Sequence, residues 1–316
     1  MIKRSREGGV FIYWYMLLMF VVIFYAGNIL VGSAINTLPP ITIAFSRLLV
    51  ATIILLPFGL REIRALRKQA KNYKVPFILL MLTGVTFFNT FIYGALQFTS
   101  TTNVSVLEAS IPVVTVLLSA AFLKERLGKT QWLGVLISLF GAVWVVLDGR
   151  LFQLATIDWN IGDLIMLGAV LSWAIYSILV KKYMHHFPVY ATVFVMSGIS
   201  VILLLPFVVL EWIVGGVPAL FDIGHLSGLI YLGVFPSVIA LIFYNQAVSH
   251  LGASQASIFL NFLPVATMIG AYFWLGEKIS MMQMSGAAAV MAGVFLTIVA
   301  NQKQRPRQTD KTQKAT

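Results

Sequence analysis

Runs of about twenty apolar residues recur along the whole chain, from "VFIYWYMLLMFVVIFYAGNILV" (10–31) to "MMQMSGAAAVMAGVFLTIVA" (281–300). Each is long enough to cross the roughly 30 Å of hydrocarbon in a bilayer. No water is present there to satisfy backbone N–H and C=O groups, so such runs must be helical. Only 10% of the 316 residues are charged and 59% are hydrophobic, whereas a soluble domain carries about 25% charged residues. The chain therefore reads as an all-α polytopic membrane protein. Ten spans can be drawn: 11–32, 40–60, 75–97, 101–123, 130–147, 161–180, 189–212, 225–247, 254–275 and 281–300. The first is too long for the apolar core of a signal peptide, although "GSA" (32–34) resembles a cleavage site, and it is kept as a retained helix.

The 22 lysines and arginines are distributed unevenly between the two ends of these spans. With the N-terminus in the cytoplasm, nineteen fall on the inner side: Lys3, Arg4 and Arg6, six in loop 61–74, three in "KERLGK" (124–129), Lys181 and Lys182, and five in the tail after Ala300. Only Arg150 and Lys278 fall outside. This bias predicts both termini in the cytoplasm. The net charge of +11 then records topology and contact with membrane lipid rather than nucleic-acid binding. One cation remains, Arg47, in the middle of "TIAFSRLLVATIILLPF" (42–58).

The two halves of the chain match each other. "NILV" (28–31) answers "SILV" (177–180), Pro39 answers Pro188, and "ILLPF" (54–58) answers "LLLPF" (203–207), all at an offset of 149. Further along the offset is 152: Pro112 answers Pro264, Glu125 answers Glu277, Gly134 answers Gly286, and Gly141 answers Gly293. Five spans per copy is an odd number, so the second copy enters the membrane upside down. The expected architecture is an inverted 5+5 repeat, with a first unit at 1–150, a second at 151–302 and a disordered tail at 303–316. Inverted repeats of this kind underlie many secondary transporters, because two equivalent halves can exchange inward-open and outward-open roles.

Several segments also carry a family resemblance: "FSRLLVA" in span two, "LEASIPVVTVLLSAAFLKERLGKTQWLGVLISLFGAVWVV" across spans four and five, "GDLIMLGAVLSWAIYSILVKK", and "ASIFLNFLPVATMIGAYFWLGEKISMMQMSGAAAVMAGVFL". The chain resembles the drug/metabolite transporter superfamily, in its ten-helix branch with two EamA domains. That resemblance implies exporters of metabolites, amino acids or drugs, working through a central cavity between the halves. One branch exports aromatic amino acids, and nothing in this sequence singles that branch out.

Arg47 lies eight residues beyond Pro39, about 12 Å into the membrane at about 1.5 Å per residue, and Glu108 about 10 Å into span four by the same rise. Both spans run in the same direction, so the two charges share a depth. An arginine at a helix centre costs about 2.5–3.5 kcal/mol to insert and faces a partner or a wet cavity. Arg47 and Glu108 are therefore expected to face one interior region, paired directly or through water. Their counterparts in the second half are Met196 and Leu260. A static ion pair that fixes packing and a proton-coupling carboxylate are both open readings. Apolar surroundings favour the protonated form of Glu108, and a neighbouring arginine favours the charged one.

Pro112, four residues after Glu108, cannot donate to its carbonyl, and Pro264 does the same to Leu260. Paired interruptions point to a site near the midplane, while packing kinks without a ligand are the alternative. Asn28, Asn89, Asn245, Asn261, Tyr25, Tyr93, Tyr176 and Tyr244 are candidate solute contacts, with Trp173 and Phe24 as an apolar wall. For any one of them singly, interhelical hydrogen bonding or aromatic packing at the lipid boundary is the stronger reading. Glu125 and Glu277 read as interfacial charge pairs beside Lys124, Arg126 and Lys278. The seven-residue glycine spacings at 134/141 and 286/293 read as a close helix contact.

With no cysteines, disulfides, thiolate metal sites and cysteine nucleophiles are excluded. The four histidines show no metal spacing, "NIGD" (160–163) lacks the first glycine of the GxGD protease pattern, and no phosphate-binding loop or catalytic triad is present. The expectation is a membrane transporter without cofactor, ATP or metal. It would move a small organic solute outward across the inner membrane, either coupled to protons or as an uncoupled facilitator. A lipid scramblase or flippase is the alternative.

Overall fold

A computed structural model describes residues 2–123, 128–146, 160–251, 260 and 262–304. Within these residues every regular element is a helix. They comprise α1 (Ile2–Ala34), α2 (Pro40–Asn72), α3 (Lys74–Met81), α4 (Phe88–Leu96), α5 (Thr101–Glu108), α6 (Ile111–Leu123) and α7 (Lys129–Val146). The second half adds α8 (Ile161–Tyr183), α9 (Val189–Gly215), α10 (Ile223–Val234), α11 (Leu241–Leu251), α12 (Leu263–Gly270) and α13 (Met281–Gln304). Seven of the described segments are long and apolar enough to cross a membrane, and three shorter apolar ones, Lys129–Val145, Leu263–Leu275 and Met281–Thr297, bring the spans to ten.

Short π-helical turns interrupt both third spans, Leu82–Phe87 between α3 and α4 and Phe235–Ala240 between α10 and α11. Span four is broken into α5 and α6 by a turn at Ala109–Ser110. The corresponding turn in span nine falls at Phe262, at the offset of 152.

The halves interlock rather than stand side by side. α6 packs on α8, and its counterpart α12 packs on α1; α4 packs on α8, and α11 packs on α1. α2 lies against α9, and α7 against α13, each pairing a helix with its own repeat mate. These reciprocal pairings are what an inverted repeat produces around a pseudo-two-fold axis. The ends of the spans near 61–74 and 181–186 form a basic face, and the opposite ends form a sparsely charged face.

The segment 61–74, expected as a loop, instead continues α2 as far as Asn72. "REIRALRKQAKN" consists largely of strong helix formers, and Leu66 is buried at 2% exposure. The apolar seam thus extends beyond the hydrocarbon segment and carries the basic residues outward on the exposed side of the helix.

The glycines of α7 and α13 let two backbones touch. A Cβ at Gly134 would lie 2.6 Å from the Gly293 carbonyl oxygen, and one at Gly141 would lie 2.8 Å from that of Gly286. The obstacle at both positions is backbone, which has no rotamer with which to give way. Gly141→Leu is expected to destabilise the protein by at least about 1–3 kcal/mol, the usual cost of overpacking. Gly94→Ala, whose Cβ would meet only the Ile165 methyl at 3.5 Å, should be near neutral. Thermal unfolding of the detergent-solubilised protein would compare them.

Candidate functional site

Arg47 is 4% exposed, and elements from both halves satisfy it. Nε donates to Ser237 Oγ at 2.9 Å, and Nη1 donates to Asn28 Oδ1 at 2.7 Å and to Tyr93 Oη. Tyr93 Oη in turn donates to Asn28 Oδ1 at 2.8 Å, and Ser237 Oγ donates to the Leu232 carbonyl at 2.7 Å. Asn28 comes from α1, Tyr93 from α4, and Ser237 from the π-helical turn of span eight. Gly32 makes room for this arrangement, since a Cβ there would sit 2.7 Å from Tyr93 Cε1. The partners are neutral acceptors, so the guanidinium is solvated by the protein without its charge being cancelled.

Glu108 ends the half-helix α5. Its break has a physical cause visible around it. Pro112 offers no N–H, and Ser110 turns back so that its N and Oγ both donate to the Leu107 carbonyl, at 3.0 and 2.6 Å. Glu108 Oε2 is buried without a hydrogen-bond partner. It therefore does not close the direct contact with Arg47 that the sequence left open. The carboxylate lies within electrostatic reach of Arg47, Tyr25 and Tyr93, so the two charges do share one region.

An aromatic wall adjoins them. The Trp173 ring stands 4.4 Å from Phe88, 5.0 Å from Tyr176 and 6.4 Å, edge-on, from Tyr25. Tyr25 Oη is buried and unpartnered, and it lies within electrostatic reach of Tyr244 and Tyr176. Tyr176 lies over Gly84 in the first π-helical turn, where a Cβ would come within 2.2 Å of its ring. Phe24 leaves this wall and packs on Phe235 at 5.1 Å.

The remaining candidates divide. Asn89 donates Nδ2 to the Val85 carbonyl of its own span at 2.6 Å. Asn245 is 9% exposed, and neither amide atom has a hydrogen-bond partner. Asn261 lies outside the described residues. Pro264 is buried one residue into α12, matching Pro112 one residue into α6. Glu277 does not act as a charge pair with Lys278: its carboxylate accepts from Thr101 N and Thr102 Oγ1, both at 3.1 Å, and caps α5. Four unsatisfied N–H groups at a helix start attract a carboxylate more effectively than a solvated surface lysine does. Glu125 lies outside the described residues.

Ser237, Phe88, Gly84 and Gly32 escaped the sequence reading. Ser237 has no neighbouring signal beyond Pro236.

A ten-span helical bundle with an interlocked inverted repeat and a buried polar centre is the architecture of a membrane transporter. The EamA-like transporter family model matches twice, at residues 12–147 and 160–299. The chain belongs to that family. It is similar to the uncharacterized transporter YyaM of Bacillus subtilis, with 28% identity covering 72% of this chain and 74% of that one. It is also similar to a protein of Salmonella typhimurium described as a "probable amino-acid metabolite efflux pump", with 24% identity covering 93% and 95%. A solved crystal structure superposes with a TM-score of 0.64 over 93% of this chain and 99% of its own, at 16% identity, which establishes a shared fold.

Asn28→Leu should leave both Arg47 Nη1 and Tyr93 Oη short of an acceptor, at about 1–3 kcal/mol per orphaned group. Tyr93→Phe, which leaves Arg47 its bonds to Asn28 and Ser237, should cost less. Thermal stability in detergent is expected to fall in the order wild type, Tyr93→Phe, Asn28→Leu.

Proposed function

We propose that this protein is a secondary transporter that exports a small amino-acid-like or drug-like solute across the cytoplasmic membrane by alternating access, with Glu108 as the exchanging group. One observation carries this reading: Glu108 Oε2 is buried and unpartnered at the break of a discontinuous span, beside an arginine held by neutral groups. Discontinuous spans near the midplane are where secondary transporters place substrate and coupling ions. Intramembrane carboxylates mark proton and ion pathways.

The chemistry follows from the surrounding groups. Arg47 keeps an uncancelled positive charge and attracts a carboxylate, Glu108 attracts an ammonium group or a proton, and the wall of Tyr25, Phe88, Trp173 and Tyr176 suits an apolar or aromatic body. One carboxylate cannot hold a proton and a substrate ammonium at once. Release of one is therefore tied to uptake of the other, which is the stoichiometric basis of antiport. The relative named for amino-acid metabolite efflux supports the solute class, and the inverted repeat supports alternating access. The basic face belongs in the cytoplasm by the charge bias of the loops, which also directs that face toward anionic lipid headgroups. On this reading neither ATP nor nucleic acid is a partner.

The test is uptake of a panel of radiolabelled neutral amino acids into proteoliposomes carrying an imposed pH gradient. Wild type is expected to accumulate at least one of them in response to the gradient. Glu108→Gln should retain its folded elution profile and lose the gradient-driven component. Equal gradient-driven flux in the two proteins would sink the role given to Glu108. Lipid-probe scrambling without amino-acid flux would favour a scramblase instead.

A further inference from the structure

Two carboxylates outside the central site occupy matching positions. Glu62 on α2 and Glu211 on α9 are 149 residues apart, the offset that also relates Thr42 to Ala191. The structure turns this sequence relation into a reciprocal one. At the sparsely charged face, Glu211 caps the start of α2: Oε1 accepts from Ile41 N at 3.0 Å, and Oε2 accepts from Thr42 N and Thr42 Oγ1, both at 2.8 Å. At the basic face, Glu62 Oε2 accepts from Ala191 N, near the start of α9, at 3.5 Å. The helices lie antiparallel, and each places a carboxylate against the other's N-terminus, where unsatisfied N–H groups and the helix dipole favour negative charge.

The two ends are unequal. The Glu211 end has three bonds of 2.8–3.0 Å, and Trp212 Nε1 adds a fourth contact by donating to Thr42 Oγ1 at 3.0 Å. The Glu62 end has one bond at the limit of hydrogen-bond length. Part of this difference is written in the sequence. The residue matching Thr42 is Ala191, which has no hydroxyl, and the residue matching Trp212 is Ile63, which has no N–H.

Other contacts between the halves follow the same bias among the described residues. The sparsely charged face is tied by Glu277 to Thr101 and Thr102, by Gln283 Nε2 to Asn103 Oδ1 at 2.9 Å, by Thr99 Oγ1 to Asp163 Oδ1 at 2.6 Å, and by Thr37 to His225 at 2.9 Å. Across the basic face the described contacts include ring packing, with Tyr73 stacked on His186 at 4.5 Å.

We propose that Glu62 and Glu211 are the two ends of a see-saw. Tilting of α9 against α2 tightens one carboxylate cap as it loosens the other, and the structure is the state with the Glu211 end closed. Rigid helices that pivot on a packed contact exchange end distances in this way, as in hinge and shear transitions. The hydroxyl of Thr42 and the indole of Trp212 load the balance, so the resting protein is closed at the sparsely charged face and opens the central site toward the basic one. The purpose of the device rests on the transporter reading, but the motion itself can be measured without a solute.

Hydrogen–deuterium exchange of the full chain in lipid nanodiscs reads both ends at once, through segment 40–44, whose amides begin at Ile41, and segment 189–193. Glu211→Gln is expected to speed exchange at 40–44 by about tenfold or more, as local opening becomes easier, and to slow exchange at 189–193 as the Glu62 cap tightens. Glu62→Gln should leave 40–44 protected or more protected. Thr42→Ala keeps both backbone bonds and should give the Glu211→Gln pattern in weaker form, which preserves the test should Glu211→Gln fail to fold. If Glu211→Gln or Thr42→Ala speeds exchange at 40–44 while 189–193 stays unchanged or also speeds up, the two caps are independent and static, and the proposal is overturned. Because flux is measured separately, a see-saw without transport and transport without a see-saw are distinct results.

Discussion

Arg47 is the group around which the centre of the molecule is arranged. A guanidinium in the hydrocarbon zone must be solvated by protein, and the desolvation cost falls on whichever elements come close enough to do so. Here the solvating groups are an amide, a phenol and a hydroxyl drawn from α1, α4 and the π-helical turn of span eight. Satisfying one side chain therefore fixes the relative placement of spans one, two, three and eight, across both halves. A carboxylate could have done the same with fewer partners, but the resulting ion pair would have neutralised the site. Neutral acceptors hold the cation in place and leave its charge uncancelled within electrostatic reach of Glu108.

The backbone around this centre is irregular where the chemistry needs it to be. Broken helices at membrane depth are tolerated only where protein or a polar cavity meets the freed N–H and C=O groups. The break after Glu108 meets that condition locally, since Ser110 returns two donors to the Leu107 carbonyl. π-helical turns occur often at functional sites, and those in spans three and eight carry Gly84 and Ser237. The first makes room for the Tyr176 ring, and the second supplies an Arg47 acceptor. Irregularity in spans three, four and eight thus converges on one volume, whereas α7 and α13 stay regular and join through glycines at backbone contact. Those close glycine contacts leave α7 and α13 little room to shift against each other.

The global architecture was legible in the sequence because its causes are one-dimensional. Span length, charge bias and repeat offset are all properties of order along the chain, and they led to ten helices in an inverted pair. The glycine spacing likewise pointed to a close helix contact, and the structure shows the two faces to be each other's partner. The site was legible only in part. Arg47 and Glu108 stand out because charge inside a span is rare, but the partners of Arg47 depend on which way three separate helices are rotated. Ser237 is one serine among many until the π-helical turn aims it. Glu277 was misread because a neighbouring lysine is visible in sequence, whereas a helix N-terminus 176 residues away is not. The extension of α2 to Asn72 was missed because charge was taken to mark a loop. Charged residues with long straight side chains are good helix formers, and the buried Leu66 shows that the helical seam persists beneath them.

Symmetry and its violations divide the work of the molecule. The features that obey the repeat are mechanical: the α2–α9 and α7–α13 pairings, the breaks at 109–110 and 262, and the carboxylates at 62 and 211. The features that violate it are chemical: Arg47 faces no second arginine because its counterpart is Met196, and Glu108 has none because its counterpart is Leu260. On the proposed alternating-access reading, two openings related by the pseudo-two-fold axis need moving parts in matched pairs, since otherwise one opening would lie too high in energy to be visited. A solute with distinct ends is recognised better by a single cation and a single anion, because duplicated charges would bind it in two competing poses and leave one set buried without a partner.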